Sequence, residues 1–183
     1  GYRLDTWDVF FADARDALPP ARTLVAEALA ADLDEGVLTH AASSERAADI
    51  QRFMVANSIA PFSTRMLTGE LGPAATPYIR DATGRIVACA HAYLPHNRHS
   101  PWKRAAWVGL VAVAAEQRGR RLGSRINAKA ICLAIESLGA ASVYELVAPD
   151  NEPSRRMVES CGLRFRPDLL CGMATSGQQR FTK

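Results

Sequence analysis

The most constraining feature of this sequence is an apolar segment of strand length that leads, through a short loop with two glycines, into an amphipathic helix. Residues 107–113 are rich in valine and too short to favour a helix, so they predict a buried strand. A helix is predicted from the loop to about Leu138, where Gly139 would end it. A strand followed by such a helix is typical of α/β layer structures, in which the helix covers the sheet.

The flanking segments extend this unit into a mixed α/β pattern. In the second half, strands are predicted at residues 78–81, 85–94, 142–147, 163–166 and 169–173, and a helix at residues 153–161. Before them, helices are predicted at residues 19–36, after Ser43 or Ser44, and near residues 64–70. From residue 78 onwards the order is β-β-β-α-β-α-β, which predicts one mixed sheet with helices packed on it.

The length and composition indicate one globular domain. The chain has 183 residues, of which 48% are hydrophobic and 22% charged, and no apolar run approaches the roughly 20 residues that a membrane helix needs. The first residues lack the apolar stretch of a signal peptide. The four cysteines form no Cys-x-x-Cys pair, so we expect neither a metal site nor a disulfide framework, and we predict a reduced, cytoplasmic setting without a membrane partner.

Charge is distributed unevenly along the chain. Residues 1–82 contain 7 Lys and Arg against 12 Asp and Glu, whereas residues 83–183 contain 15 against 7. The densest basic segment, residues 118–129, contains no acidic residue. This distribution predicts an anionic partner for the second half, and a phosphorylated cofactor, a nucleic acid and a membrane surface are all open at this stage.

The loop between the predicted strand and helix, Val113 to Ser124, has the chemistry of an anion site. The first four N–H groups of a helix have no partner within it, and the helix dipole places partial positive charge at that end. Gly119 and Gly123 would let the backbone approach a pyrophosphate closely. The alternative is an ordinary strand-to-helix turn with solvated arginines. The residues match neither Gly-x-x-x-x-Gly-Lys-Ser/Thr nor Gly-x-Gly-x-x-Gly.

Two segments resemble motifs of the GNAT N-acyltransferase superfamily. Val113, followed by Arg-Gly-Arg-Arg-Leu-Gly at residues 118–123, is similar to motif A, Gln/Arg-x-x-Gly-x-Gly/Ala, with Arg121 where the middle Gly is usual. Further along, residues 151–162 resemble the family's Asn-x-x-Ser…Gly-Phe segment, although Leu163 replaces the Phe. The resemblance covers about residues 36–173.

The resemblance implies a fold and a domain division. The fold is a GNAT-like mixed α/β (α+β) domain with a mostly antiparallel central sheet, helices on both faces, and a splayed cleft for the cofactor between the family's strands 4 and 5. Residues 36–183 would form this acyltransferase domain. Residues 1–35 would be an N-terminal helical extension.

The resemblance also implies a binding site for acetyl-CoA, with no metal. Backbone groups of Val111, Ala112 and Val113 would pair with the pantetheine arm, and the Val113 N–H would stabilise the developing oxyanion. The pyrophosphate would lie on the backbone N–H groups of Arg118, Gly119, Arg120, Arg121, Leu122, Gly123 and Ser124. Asn151 would bond the pantetheine arm, although it is equally suited to capping the next helix. Ser154 would contact the far end of the cofactor, although a capping role is favoured for it.

The usual catalytic residues of the family are missing. Its thiol-protonating Tyr is Val158 here, and residues 105–108 lack the acid often found early in strand 4. The substitutes are Glu145, a carboxylate on an otherwise apolar strand face, together with Tyr144 and His91. Each has a structural alternative: an ion pair for Glu145, a packed ring for Tyr144, and a buried, hydrogen-bonded side chain for His91.

The predicted function is transfer of an acetyl group from acetyl-CoA directly to a primary amine on a small molecule or a peptide. His96 and His99 lie in a loop that would border the acceptor. Because both usual catalytic residues are absent, an acyl-CoA sensor or partner-binding domain without catalysis is the alternative. Nucleic-acid binding is a remote one, since the basic segment lacks interleaved aromatic residues. A homodimer is left open.

Overall fold

A seven-stranded sheet forms the centre of the computed structural model, which describes residues 2–38 and 44–176. The strands are β1 (Tyr2–Asp13), β2 (Leu33–Leu38), β3 (Ala74–Asp81), β4 (Ile86–Tyr93), β5 (Ala105–Val113), β6 (Ser142–Val147) and β7 (Arg164–Ser176). The helices are α1 (Ala14–Ala26), α2 (Ser44–Ala56), α3 (Thr64–Leu67), α4 (Leu122–Glu136) and α5 (Glu152–Ser160). A 3₁₀ turn at Ala115–Gln117 follows β5.

The strand order is β2-β3-β4-β5-β6-β1-β7. Every neighbouring pair is antiparallel except β5 and β6, which are parallel and are joined through α4. A parallel pair needs a crossover of a dozen or more residues, and α4 supplies it. The predicted mixed, mostly antiparallel sheet is confirmed.

The parallel pair β5–β6 separates soon after it begins. Pairing extends only from Ala105 opposite Ser142 to Trp107 opposite Tyr144, yet β5 continues to Val113 and β6 to Val147. Between Gly109 and Ala112, β5 also contains a bulge against β4, where Leu110 has φ of +53°. The two strands therefore diverge like the arms of a V, and the predicted splay is confirmed.

Helices cover both faces of the sheet. One hydrophobic cluster joins α1, α4 and α5 to one face, and a second joins α2 and α3 to the other. Gly162, between α5 and β7, has φ of +88°, and a Cβ there would lie 2.8 Å from the carbonyl oxygen of Asp16. Only glycine fits at that point without strain, because the backbone of α1 packs directly on the turn.

The first 35 residues differ from the prediction of a helical extension. Tyr2–Asp13 is a strand inside the sheet, hydrogen-bonded between β6 and β7. The helix occupies Ala14–Ala26 rather than residues 19–36, and the predicted boundary at residues 35 and 36 falls within β2. The strand β1 is held on both edges, by β6 on one side and β7 on the other. Near the other end, the two short predicted strands form one, β7, because β1 pairs with it almost continuously. Ser43 lies outside the described residues.

Candidate functional site

A cavity of about 510 Å³ opens where β5 diverges from β6. Its walls come from the end of β5, the loop before α4, the first turn of α4, the start of α5 and the segment after α2. The lining residues are Asn57, Ile59, Val111, Ala112, Val113, Gln117, Arg118, Gly119, Arg121, Leu122, Gly123, Ser124, Pro153, Ser154 and Met157. The cavity thus lies at the C-terminal end of β5, beside the N-termini of α4 and α5.

A row of backbone amides without acceptors borders this cavity. In the described part of the chain, the N–H groups of residues 119–124 make no hydrogen bond to a backbone or side-chain acceptor, whereas the Arg118 N–H donates to the carbonyl of Ala115 at 3.3 Å. Gly119 and Arg121, with φ of +80° and +59°, turn the chain into the helix. Six consecutive free donors beside the positive end of a helix dipole form a site for an anion such as a pyrophosphate.

The backbone of Val113 also faces the space between the strands. The N–H of Ala114 donates to the carbonyl of Val87, so in this antiparallel pair the N–H and C=O of Val113 point away from β4. On the other side, β6 has already separated from β5, because Trp107 is the last residue of β5 that pairs with β6. The N–H and C=O of Val113 are therefore free to hydrogen-bond an extended ligand, in the way that they would bond a neighbouring strand.

The basic segment is largely neutralised by acidic residues from the first part of the chain. The ion pairs are Arg120–Asp32 at 2.9 Å, Arg121–Glu27 at 3.1 Å, Arg125–Glu35 at 3.0 Å and Lys129–Glu35 at 2.9 Å. Within the described residues, Arg118 has no such partner, and it lines the cavity. The cluster thus presents one uncompensated guanidinium beside the free amides, which suits a compact anion better than a nucleic-acid backbone.

Gly123 lines the cavity between the side chains of Val113 and Met157. A Cβ on Gly123 would lie 3.6 Å from Cγ2 of Val113 and 3.7 Å from Sδ of Met157, and both side chains line the cavity. These are ordinary contact distances, so the fold would tolerate the methyl group while the space between the two walls would be filled. The glycine leaves room for a ligand to lie against the backbone.

The predicted cofactor-binding residues line this cavity, except for Arg120 and Asn151. The Arg120 side chain is held by Asp32, and the Asn151 side chain caps α5 by accepting the Ser154 N–H at 3.1 Å. Sequence reasoning missed Asn57, Ile59, Gln117, Pro153 and Met157. The helical spacing of Pro153, Ser154 and Met157 was a usable signal, but the approach of the α2 segment is tertiary.

Glu145, a predicted catalytic residue, lies away from the cavity. Its side chain is buried beneath α4, where Oε1 accepts a hydrogen bond from Nδ2 of Asn127 at 2.8 Å. Burial raises the pKa of this carboxyl from 4.5 to about 8, and the bond from Asn127 opposes the shift. The structure does not bring Glu145 to the site, because this face of β6 packs against the helices.

His91 is also buried and held by a hydrogen bond. The Thr76 hydroxyl donates to the carbonyl of Leu67 at 2.7 Å, so its oxygen accepts the His91 Nδ1–H at 2.8 Å. Nε2 then carries no proton, and it has no partner among the described residues. Burial lowers the pKa of His91 from 6.5 to about 4. The ring packs against Phe62 and Tyr93, apart from the cavity residues.

Tyr144 is the predicted catalytic residue placed nearest the point where the strands separate. It is the last residue of β6 that pairs with β5, opposite Trp107, and it lies on the face of the sheet away from α4. The ring of His96 stacks on it with centroids 5.7 Å apart. Burial raises the pKa of the Tyr144 phenol, which therefore keeps its proton at neutral pH and is a weaker acid than an exposed tyrosine.

Within residues 2–38 and 44–176, no cluster of three or more His, Cys, Asp or Glu side chains is arranged to hold a metal ion. In the same ranges, no helix has the length and apolar character to cross a membrane.

Comparison with known proteins identifies relatives of this arrangement. The model of the Acetyltransferase (GNAT) family matches residues 48–163. None of the curated proteins matches the sequence. Among solved structures, a GCN5-related N-acetyltransferase from Kribbella flavida is similar at 16% identity with a TM-score of 0.64, covering 97% of this chain and 61% of that one.

Two further structures show the same fold. A GCN5-related N-acetyltransferase-like protein from Streptococcus suis is 17% identical with a TM-score of 0.63, covering 95% of this chain and 61% of that one. A tandem GNAT protein from the clavulanic acid biosynthesis pathway is 16% identical with a TM-score of 0.63, covering 96% and 55%. The chain thus spans less than two thirds of the length of these relatives.

Proposed function

This chain belongs to the GNAT acetyltransferase family, and on that premise we propose that it transfers an acetyl group from acetyl-CoA to a primary amine. The observation that carries the proposal is the row of six amides without acceptors at the N-terminus of α4, beside the gap between β5 and β6. A pyrophosphate attached to an extended arm is the kind of ligand that needs both features at once.

The chain's own groups divide the binding of coenzyme A between two regions. The N–H groups of residues 119–124 donate hydrogen bonds to the pyrophosphate oxygens, and Arg118 adds a charge-assisted hydrogen bond. The outward N–H and C=O of Val113 pair with the amide groups of the pantetheine arm. Ser154 and Met157, from α5, close the opposite wall.

The amine nitrogen attacks the carbonyl carbon of the acetyl-CoA thioester. The C–N bond forms as the C–S bond breaks, the amine nitrogen loses one proton, and the sulfur gains one, so no other reactant is needed. The Tyr144 hydroxyl, at the point where the strands separate, is the proposed donor of the sulfur's proton. The Val113 N–H is the proposed donor to the oxygen of the carbonyl.

The test is a variant that blocks the cavity without harming the fold. Gly123→Ala adds a methyl group between Val113 and Met157 at ordinary contact distances. Because alanine favours a helix over glycine by about 1 kcal/mol, the variant should be at least as stable as the parent. Isothermal titration calorimetry should show that acetyl-CoA binds Gly123→Ala at least about tenfold more weakly than it binds the parent. A tenfold change in Kd corresponds to about 1.4 kcal/mol.

The control is Ser137→Ala, an exposed substitution at the far end of α4, which should bind acetyl-CoA like the parent. No binding to the parent, or equal binding to Gly123→Ala, would contradict the proposed site.

A sensor without catalysis is the second candidate, favoured by the burial of Glu145 and His91 away from the cavity. Release of free thiol from acetyl-CoA in the presence of amines distinguishes the two. Binding without thiol release from any amine would favour the sensor. Thiol release that depends on the amine would favour the transferase.

A further inference from the structure

A second, apolar cavity of about 210 Å³ lies beside the point where β5 and β6 separate, on the face of the sheet away from α4. Tyr144 and Leu146, successive residues on that face of β6, line it, and Tyr144 is the last residue of β6 to pair with β5. The cavity therefore follows the β6 side of the V from its apex. Nothing in the coenzyme A site described above uses this space.

The lining of this cavity combines four rings with aliphatic side chains, and it carries no carboxylate among the described residues. The rings of Phe11 and Trp102 meet edge to face with centroids 5.6 Å apart, and those of His96 and Tyr144 stack at 5.7 Å. Four rings around one small space suit another ring, which makes edge and offset contacts with them. A polyamine would find no anionic group there to pair with its second charge.

The size of the cavity suits one aromatic ring. An enclosed apolar cavity of about 150 Å³ is large enough to bind benzene, so about 210 Å³ accommodates one ring with a short alkyl arm. The guanidinium of Arg166 lies 5.5 Å from the centre of the Phe11 ring and is paired with the carboxylate of Asp168 at 2.6 Å, so it brings no uncompensated charge to the cavity.

We propose that this cavity binds the non-reacting end of the acceptor, and that the acceptor is a primary amine attached through a short arm to one aromatic ring. The inference rests on the proposed function, because it assigns the acceptor of the same transfer. The ring lies among Phe11, Trp102 and Tyr144, and the amine extends toward the apex, where the thioester carbonyl would be placed.

The first experiment compares amines as acceptors by thiol release from acetyl-CoA. We expect kcat/KM for 2-phenylethylamine to exceed that for n-butylamine and for spermidine at least tenfold. A preference for spermidine or for a lysine peptide, with 2-phenylethylamine inactive, would overturn the assignment while leaving the proposed transferase intact.

The second experiment measures binding alone, so it does not depend on turnover. Saturation-transfer NMR should show contact between the protein and the ring of 2-phenylethylamine. Leu146→Phe, which fills the cavity with a side chain that strands accept readily, should reduce that signal at least fivefold. Leu71→Phe, an exposed position outside the cavity, should leave it unchanged.

The thiol-release assay and the NMR experiment distinguish failure of the proposed function from failure of the proposed acceptor site. If acetyl-CoA does not bind, the proposed function fails, and the NMR signal still decides whether the cavity binds a ring. If the ring does not bind, or binds equally to Leu146→Phe, the cavity assignment is wrong whether or not thiol release is observed.

Discussion

Replacing Glu145 by Gln should stabilise the protein above about pH 5, by an amount that grows until about pH 8. The carboxyl is buried against Asn127, whose Oδ1 has no partner among the described residues while its Nδ2 donates to Glu145. We expect the proton of the neutral Glu145 carboxyl to be donated to this Asn127 oxygen. A glutamine carries such a hydrogen permanently, in a side chain of nearly equal shape, so we expect it to make both hydrogen bonds at every pH.

The magnitude follows from the raised pKa, from 4.5 to about 8. The folded state holds a proton that the unfolded chain releases above about pH 4.5, so this group's contribution to stability is greatest below that pH. It declines as pH rises to about 8 and is constant beyond. At about 1.4 kcal/mol per pH unit of difference, the wild type should lose about 3 kcal/mol between pH 5 and pH 8 through this group alone.

Urea unfolding at pH 5, 6, 7 and 8 measures the effect as a difference between the two proteins. The midpoints should nearly coincide at pH 5. They should differ by more than 1 M in urea at pH 8, since about 3 kcal/mol is divided by a slope of about 2 kcal/mol per molar. Glu159→Gln, an exposed residue of α5, is the matched control and should show no such divergence. A Glu145→Gln variant that is less stable at pH 8, or a difference independent of pH, would refute the reasoning.

Three further outcomes are expected. Arg121→Gly should be more stable than Arg121→Ala by up to about 1 kcal/mol in urea unfolding, because Arg121 has φ of +59°, which glycine adopts more readily than alanine. In an ordinary helical conformation alanine would be the more stable of the two, and that result would contradict the left-handed conformation of Arg121. Arg118→Gln should lower coenzyme A affinity about tenfold by calorimetry, whereas Arg22→Gln, which removes an exposed pair with Glu136, should not; equal effects would exclude a local role for Arg118. Nitrogen NMR at pH 5.5 should find His91 neutral with its proton on Nδ1; titration near pH 6.5 would disprove its burial.

The site was largely predictable because it is local in sequence. The strand, the loop and the first turn of α4 occupy residues 107–124, and the geometry of a strand followed by a helix places their backbone groups together. Arg121 illustrates a departure that the fold accommodates. An arginine stands where glycine is usual, and it adopts the left-handed conformation that glycine would adopt.

The catalytic residues and the structure of the first 35 residues were harder to predict from the sequence. Both depend on which faces and edges of the strands are covered by other elements. The alternation at residues 142–147 correctly puts Glu145 and Val143 on one face, but the sequence does not say that α4 covers that face. The aromatic residues Trp7, Phe10 and Phe11 favour a strand. Its position between β6 and β7 depends on pairing with residues more than a hundred positions away.

The charge distribution gains its meaning only from that tertiary arrangement. The acidic residues that precede and begin β2, Glu27, Asp32 and Glu35, are the partners of the basic residues of α4. Without them the N-terminus of α4 would present several exposed cations and attract any extended polyanion. With them, the attraction is confined to Arg118 and six backbone amides, which lie within one turn of chain. The first part of the sequence therefore reduces the uncompensated positive charge around the N-terminus of α4.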